Sequence, residues 1–231
     1  NAVIANSTGA VTASNTATTA QAGTMSAFAT AVVYNVSGTA AEIVAASADA
    51  RNEAVNITIT DDATIAQATT AENASNSGTV TVATITDTAA NITASTNAVI
   101  ANSTGAVTAS NTATVAQATT IDALAKAVVF AVSDTAAAIA ASSSDALDEA
   151  TGVTASDTAT VAQATTIDAF DTAVVFAVSD TAENIAASSS NALDEATSVT
   201  ASDTATTAQA DTISAFATAV VYNVSGTAAE I

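Results

Sequence analysis

Residues 107–152, 153–198 and 199 onward align without a gap, so the chain repeats with a period of 46 residues. No other feature restricts the fold as much. A repeated unit too small to bury its own apolar face has to be completed by its neighbours. Residues 11–56 are a further copy, and residues 57–106 are a looser copy of 50, lengthened around 73–78. Residues 1–10 are identical to 97–106 and read as the end of a preceding unit. The expectation is one array over 1–231 with units 11–56, 57–106, 107–152, 153–198 and 199–231, a slice of a longer chain.

Each unit divides again. "VTASDTATVAQATTIDAFDTAVV" (153–175) aligns with "FAVSDTAENIAASSSNALDEATS" (176–198), giving an elementary period of 23 in two alternating flavours. A tetrad marks each coil: Ser156-Asp157-Thr158-Ala159, then Ser179-Asp180-Thr181-Ala182, with equivalents starting at Ser14, Ser37, Thr60, Thr86, Ser110, Ser133, Ser202 and Ser225. The alignment predicts that these tetrads pile up in line.

Before each tetrad stands a β-branched or aromatic run such as "VVFAVS" or "VVYNVS", which reads as a short strand with Phe176 and Val178 facing one way. Tyr34, Phe130 and Tyr222 repeat the large inward group, and the intervening coils put Val at that place. The second tetrad position is Asp, Asn or Gly, all favoured helix N-caps, and Asp180 with Glu183 fits a capping box. The residues after the tetrad have helical spacing: Ala182, Ile185, Ala186, Ser189, Leu193 and Ala196 share one face, as do Ala159, Ala162, Thr166, Phe170 and Ala173 in the other flavour.

Strand, cap and helix in 23 residues predict an α/β fold, a right-handed solenoid of strand–helix coils with parallel strands. An all-β solenoid is the alternative, and a two-helix α-solenoid a third. The absence of Pro and only seven Gly weigh against the many corners of an all-β coil. Apolar residues make up 49% but aromatics only 3%, so the core is built largely from Ala and Val. At about 25 cal/mol per Å² of apolar area, such a core must be long and regular to offset ordering entropy.

The net charge is −20, with Arg51 and Lys126 the only cations, which argues against nucleic-acid binding, since phosphate contacts need Lys and Arg. The longest wholly apolar run is far short of the roughly 20 residues of a membrane helix, so no membrane insertion is expected. Without Cys or His there is no disulfide framework, no thiolate and no imidazole base, and the chain reads as a non-enzyme.

"VSDTAENIAASSSNALDEA", with "ITDTAANITAS" and "VSDTAAAIAAS", resembles the repeats of very large secreted or surface proteins of bacteria, cyanobacteria among them, which look like adhesins, hemolysin-like exoproteins or cell-surface fibres. The resemblance implies an extracellular or cell-surface address and a mechanical or adhesive role. It carries no catalytic residue. The chain lacks the Gly-Gly-x-Gly-x-Asp nonapeptides of Ca²⁺-binding RTX repeats.

Asp134, Asp157, Asp180 and Asp203 hold equivalent tetrad positions, and stacking would bring these like charges close together. A ladder of weak Ca²⁺ sites is the functional reading; a ladder of helix N-caps is the preferred one. No other cofactor is expected. The Thr column (Thr16, Thr39, Thr112, Thr135, Thr158, Thr181, Thr204, Thr227) reads as cap hydrogen bonding or, alternatively, as an ice-binding file joined by Thr154 and Thr200. The acidic pairs Asp148-Glu149 and Asp194-Glu195 read as solvated helix ends, and Ser142–Ser144 and Ser188–Ser190 lack a base. Arg51 is expected to lay its stem along the surface and pair with Glu53. The sequence thus points to a structural repeat protein of an extracellular filament, sheath, surface layer or adhesin stalk, associating with itself through coil stacking. A surface module binding Ca²⁺, glycan or ice is the alternative.

Overall fold

The structure is a computed structural model, and it describes residues 4, 6–143, 145–189 and 191–228. The chain forms two compact units, Asn1–Asn111 with Ala123–Val129, and Thr112–Asp122 with Phe130–Ile231. In the first, β1 (Val11–Thr12) pairs with β2 (Val32–Val33). Beyond it, β3 (Val36–Gly38), β4 (Ile57–Ala63), β5 (Val80–Asp87), β6 (Val107–Ala109) and β7 (Val128–Val129) make a sheet in chain order. In the second, β8 (Val132–Asp134), β9 (Val153–Ala159), β10 (Val174–Asp180), β11 (Val199–Thr206) and β12 (Val220–Ser225) do the same. Every pairing is parallel. Helices stand between successive strands, except that β2 is followed directly by β3 and β7 by β8, so the coil is α/β. The all-β reading fails on the helices, and the two-helix reading fails on the strands.

The two flavours build their helices differently. "TVAQATTI" gives one helix, Val161–Ile167, with the same element at Thr19–Ser26, Ile65–Glu72, Val115–Asp122 and Thr207–Ile213. The other flavour gives two short helices, Ala182–Ala187 and Asn191–Asp194, where the spacing predicts one. Serine serves the break in three of the coils, while in residues 34–56 the extended C-cap is Ala46. Ser188 is the C-cap, in extended conformation (φ −73°, ψ 161°), and its hydroxyl donates to the Ile185 carbonyl at 2.7 Å. Ser95 and Ser142 make the same 2.7 Å bond to Ile92 and Ile139. A hydroxyl that takes over a helical carbonyl offers the chain an exit from the helix. The buried face is therefore Ala182, Ile185, Ala192 and Leu193, while Ser189 is exposed. In the single-helix flavour Ala164 and Ile167 are buried and Ala162 and Thr166 exposed, because the helix starts after Thr160 and Ala159 belongs to the strand.

The tetrads do not pile up in line. Val153 pairs with Val174 and Thr154 with Val175, but then Thr158 pairs with Ala177 and Ala159 with Val178. Three residues of β9, Ala155 to Asp157, thus face the single Phe176 of β10. On the far side Val178 pairs with Val199 and Asp180 with Ala201, so Asp180 and Asp203 are also out of register. The same slip separates Thr200 from Thr204 against β12, and a smaller one, of a single extra residue, separates Ile59 from Asp62 against β5. A bulge with two extra residues bends the strand and redirects its side chains. Phe176 fills the interior at the level where β9 bulges, and is 2% exposed. Tyr34 and Phe130 hold the same place in their coils, while Val153 lies level with Val132 and Val174. Single aromatic rings between Val, Ile and Ala layers give this methyl-rich core its bulk.

The lengthened loop after Ile65–Glu72 lies on the preceding coil. Ser75 N–H donates to Asn52 Oδ1 at 3.0 Å, and Gly78 N–H to the Val55 carbonyl at 2.8 Å. Gly78 is needed there: a Cβ would sit 2.6 Å from that carbonyl oxygen.

Candidate functional site

An α-helix opens with four N–H groups that have no partner inside it. Here the coil satisfies part of that demand itself. Thr160 is the N-cap of Val161–Ile167, and its hydroxyl accepts from Gln163 N–H at 3.2 Å. Gln163 Oε1 accepts in turn from Thr160 N–H at 2.8 Å, closing a capping box. Thr18 with Gln21, Thr64 with Gln67 and Thr206 with Gln209 repeat it.

The first helical N–H is satisfied from outside the coil. Val161 N–H donates to Asp180 Oδ2 at 2.9 Å, and Asp180 lies in the next coil. Ala182 N–H donates to Asp203 Oδ1 at 2.7 Å, one coil further on. The arrangement recurs with Ala40 to Asp61 (2.7 Å), Ile65 to Asp87 (2.9 Å), Ala89 to Asn111 (2.8 Å), Val115 to Asp134 (3.0 Å) and Ala136 to Asp157 (2.6 Å). The carboxylates thus cap helices, and each closes the first N–H of the helix in the coil before it. The expected box of Asp180 with Glu183 gives way to Thr181 as N-cap, accepting from Asn184 N–H at 3.2 Å.

The bulge explains why both flavours can reach. Asp157 and Asp203 sit in the bulge, whereas Asp87, Asp134 and Asp180 end their strands. At the strand ends the second oxygen is used as well. Asp180 Oδ1 accepts from Thr181 N–H at 2.8 Å and from Asn184 Nδ2 at 2.8 Å; Asp87 does the same with Thr88 (2.8 Å) and Asn91 (2.7 Å). Burial pushes both carboxyls up, but for each the donated hydrogen bonds outweigh it and hold the group below the usual aspartate range. Where the tetrad has Gly38, Glu42 takes over the local task, accepting from Thr39 N–H at 2.9 Å. A Cβ at Gly38 would lie 3.0 Å from that carboxylate, so a side chain at 38 and Glu42 compete for one space.

Asp134, Asp157, Asp180 and Asp203 are therefore distributed one per seam. Among the described residues no three Asp or Glu side chains converge as a metal site would need. The Thr column divides: Thr39, Thr135 and Thr181 are N-caps, while Thr16, Thr112, Thr158 and Thr204 are exposed in or beside strands. Thr154 and Thr200 are exposed on the outer sheet face, level with Ser133 and Val175, and with Ser179 and Val221.

Other polar groups serve the same seam. Thr172 and Thr218 hydroxyls donate to Asp148 (2.7 Å) and Asp194 (2.8 Å) of the coil before, so each acidic pair has one member tied down. Asn56 Nδ2 donates to Asn35 Oδ1 at 2.9 Å, and Thr79 N–H to Asn56 Oδ1 at 2.8 Å, which runs a ladder over three coils. Arg51 turns inward on its own coil: its guanidinium donates to the carbonyls of Ile43 and Val44, each at 3.0 Å, and to that of Ala46, closing Ala40–Ala45 at its C-terminus. That use suits a cation at the negative end of a helix.

No helix among the described residues is long and apolar enough to cross a membrane. Comparison with protein-family models, curated proteins and solved structures finds no match to the chain.

Proposed function

We propose that the chain is a structural repeat protein of an extracellular filament, sheath, surface layer or adhesin stalk, acting as a right-handed solenoid that associates through coil stacking. The observation that carries this reading is the seam: a coil's helix start is completed by the next coil's Asp or Asn in seven places. A coil with a ready acceptor on one side and an unsatisfied donor on the other suits open-ended addition. Self-repulsion at −20 opposes aggregation without direction and leaves the matched seam as the favoured contact. The extracellular address rests on the resemblance of the repeats to those of bacterial surface proteins. No catalytic role is proposed, and the Asp and Asn side chains of the seam are read as holding coils together.

Sedimentation and negative-stain electron microscopy of the purified chain over a range of concentrations test this. Oligomers or filaments should grow with concentration and with salt, which screens the acidic surface. Compact monomers at every concentration and ionic strength would sink the proposal.

A further inference from the structure

We infer that the lengthened unit 57–106 carries a binding cleft for a neutral saccharide, set between its long loop and the next coil. This goes beyond the scaffold role proposed above and does not depend on self-association.

This unit has 50 residues where the period is 46. Its loop after Ile65–Glu72 also loses bulk. In three regular units the N–H of Phe28, Phe170 and Phe216 donates to the carbonyl three residues back, of Met25, Ile167 and Ile213, at 3.0–3.1 Å. Ala74 N–H makes the same bond to the Ala71 carbonyl at 3.1 Å. Two large apolar side chains are thus replaced by methyls, and the polar residues Ser75, Asn76 and Ser77 follow. The result is a cleft of about 530 Å³, within the range of small-molecule sites. Ala74, Asn76 and Thr79 line it from the long loop, and Ala101, Asn102 and Thr104 from the next coil.

Both sides are anchored by the protein itself. Besides the bonds of Ser75 and Gly78 to the preceding coil, Asn76 Nδ2 donates to the Val55 carbonyl at 3.1 Å. Thr104 N–H donates to the Val82 carbonyl at 2.8 Å, and Asn102 Nδ2 donates to the Glu72 carboxylate. A site built in advance spares the ligand part of the ordering cost.

The polar groups left over define the ligand. Among the described residues Asn76 Oδ1, Asn102 Oδ1 and Glu72 Oε1 enter no hydrogen bond, and the three side chains are half-buried. Each Asn amide also has a second N–H to give. The hydroxyls of Thr79, Thr81 and Thr104 already donate, to Asn56 Oδ1, Thr58 Oγ1 and the Val82 carbonyl, so towards a ligand they accept. The ligand must bring many donors and some acceptors, as sugar hydroxyls do. Ala74, Val80 and Ala101 offer apolar surface to the C–H face of a sugar ring. One carboxylate and no Lys or Arg in the lining disfavour an anionic sugar or a phosphate. A lone Ca²⁺, which draws about six to eight oxygens to about 2.3–2.6 Å, would leave most of a cleft this size empty.

Isothermal titration calorimetry of the whole chain tests this with cellobiose, chitobiose, maltose and mannobiose, each up to about 50 mM, which reaches a Kd of about 1 mM. At least one sugar should bind saturably. Ala74→Phe puts back the residue of the regular units and should abolish the binding heat. Glu72→Gln keeps the shape of the side chain and should weaken binding about tenfold, because a charged acceptor makes the stronger hydrogen bond. Thermal melts check that both variants fold, and Glu72→Gln decides the matter if Ala74→Phe does not. No heat from any of the four sugars would overturn the proposal, and heat from CaCl2 in their place would make the cleft an ion site. Sugar binding that survives unchanged in Glu72→Gln, or in a folded Ala74→Phe, would overturn it too, by placing the sugar elsewhere on the chain.

Discussion

At the scale of single residues, the tetrad Asp is a cap delivered from the following coil. Asp157→Ala should therefore cost about 1 kcal/mol, as cap removals do, and Asp157→Asn much less, as Asn111 already performs the role; urea unfolding of the two variants separates them. Protonation acts on the same groups. Asp87 and Asp180 are held below the usual aspartate range, so their contribution is present above about pH 4, where the unfolded side chain is ionised, and is lost as pH falls through their lower folded values. Tyr34 works in the opposite direction. Burial first, then the charges of Glu53 and Asp49, push its phenol up to about 12, and its hydroxyl donates to the Ala50 carbonyl at 3.0 Å. The neutral form is favoured in the folded state, so stability is full below about pH 10 and lost as pH rises towards 12. Thermal melts from about pH 2 to about pH 12 should fall at both ends, and Tyr34→Phe should flatten the alkaline limb. An alkaline limb unchanged in Tyr34→Phe would remove that assignment.

Among the elements, the strands and the alternation of flavours are legible from β-branched runs and from the repeat itself. Helix starts are not. The tetrad reads as the start in both flavours, yet the start falls at Thr181 in one and at Thr160, three residues past Asp157, in the other. The signal is present as Thr-x-x-Gln, the capping box of "TVAQ", and it predicts the start better than Asp does. The bulge is not legible, because Ala155, Ser156 and Asp157 look like any exposed strand. It emerges only from the pairing, in which residues 153–159 of β9 span residues 174–178 of β10. Glycines at the seam give a test at this scale. A Cβ on Gly105 would lie 2.6 Å from the Ala83 carbonyl oxygen of the preceding coil, whereas one on Gly152 meets nothing within 4 Å. Gly105→Ala should destabilise by about 1–3 kcal/mol through this overlap, and Gly152→Ala should be neutral or slightly stabilising. In the core, Phe176→Ala should cost about 3–5 kcal/mol, and Tyr222→Ala, at a half-buried ring, clearly less.

For the molecule as a whole, the repeat predicts that neighbours supply one another's missing interior, and within each unit the parallel pairing and the crossing caps agree with that. The expectation of equivalent, aligned rungs of 23 does not survive. Successive coils are inequivalent, and the bulge with its displaced Asp is the device that joins them. The central claim is that each carboxylate completes the coil before its own. Amide hydrogen exchange of Asp157→Ala, read residue by residue, tests it most directly. Protection should fall at Ala136 and its helix in the preceding coil, while Val161, the helix start in the coil of Asp157 itself, stays protected by Asp180. Loss confined to Val161 and the helix after it, with Ala136 unchanged, would contradict the account.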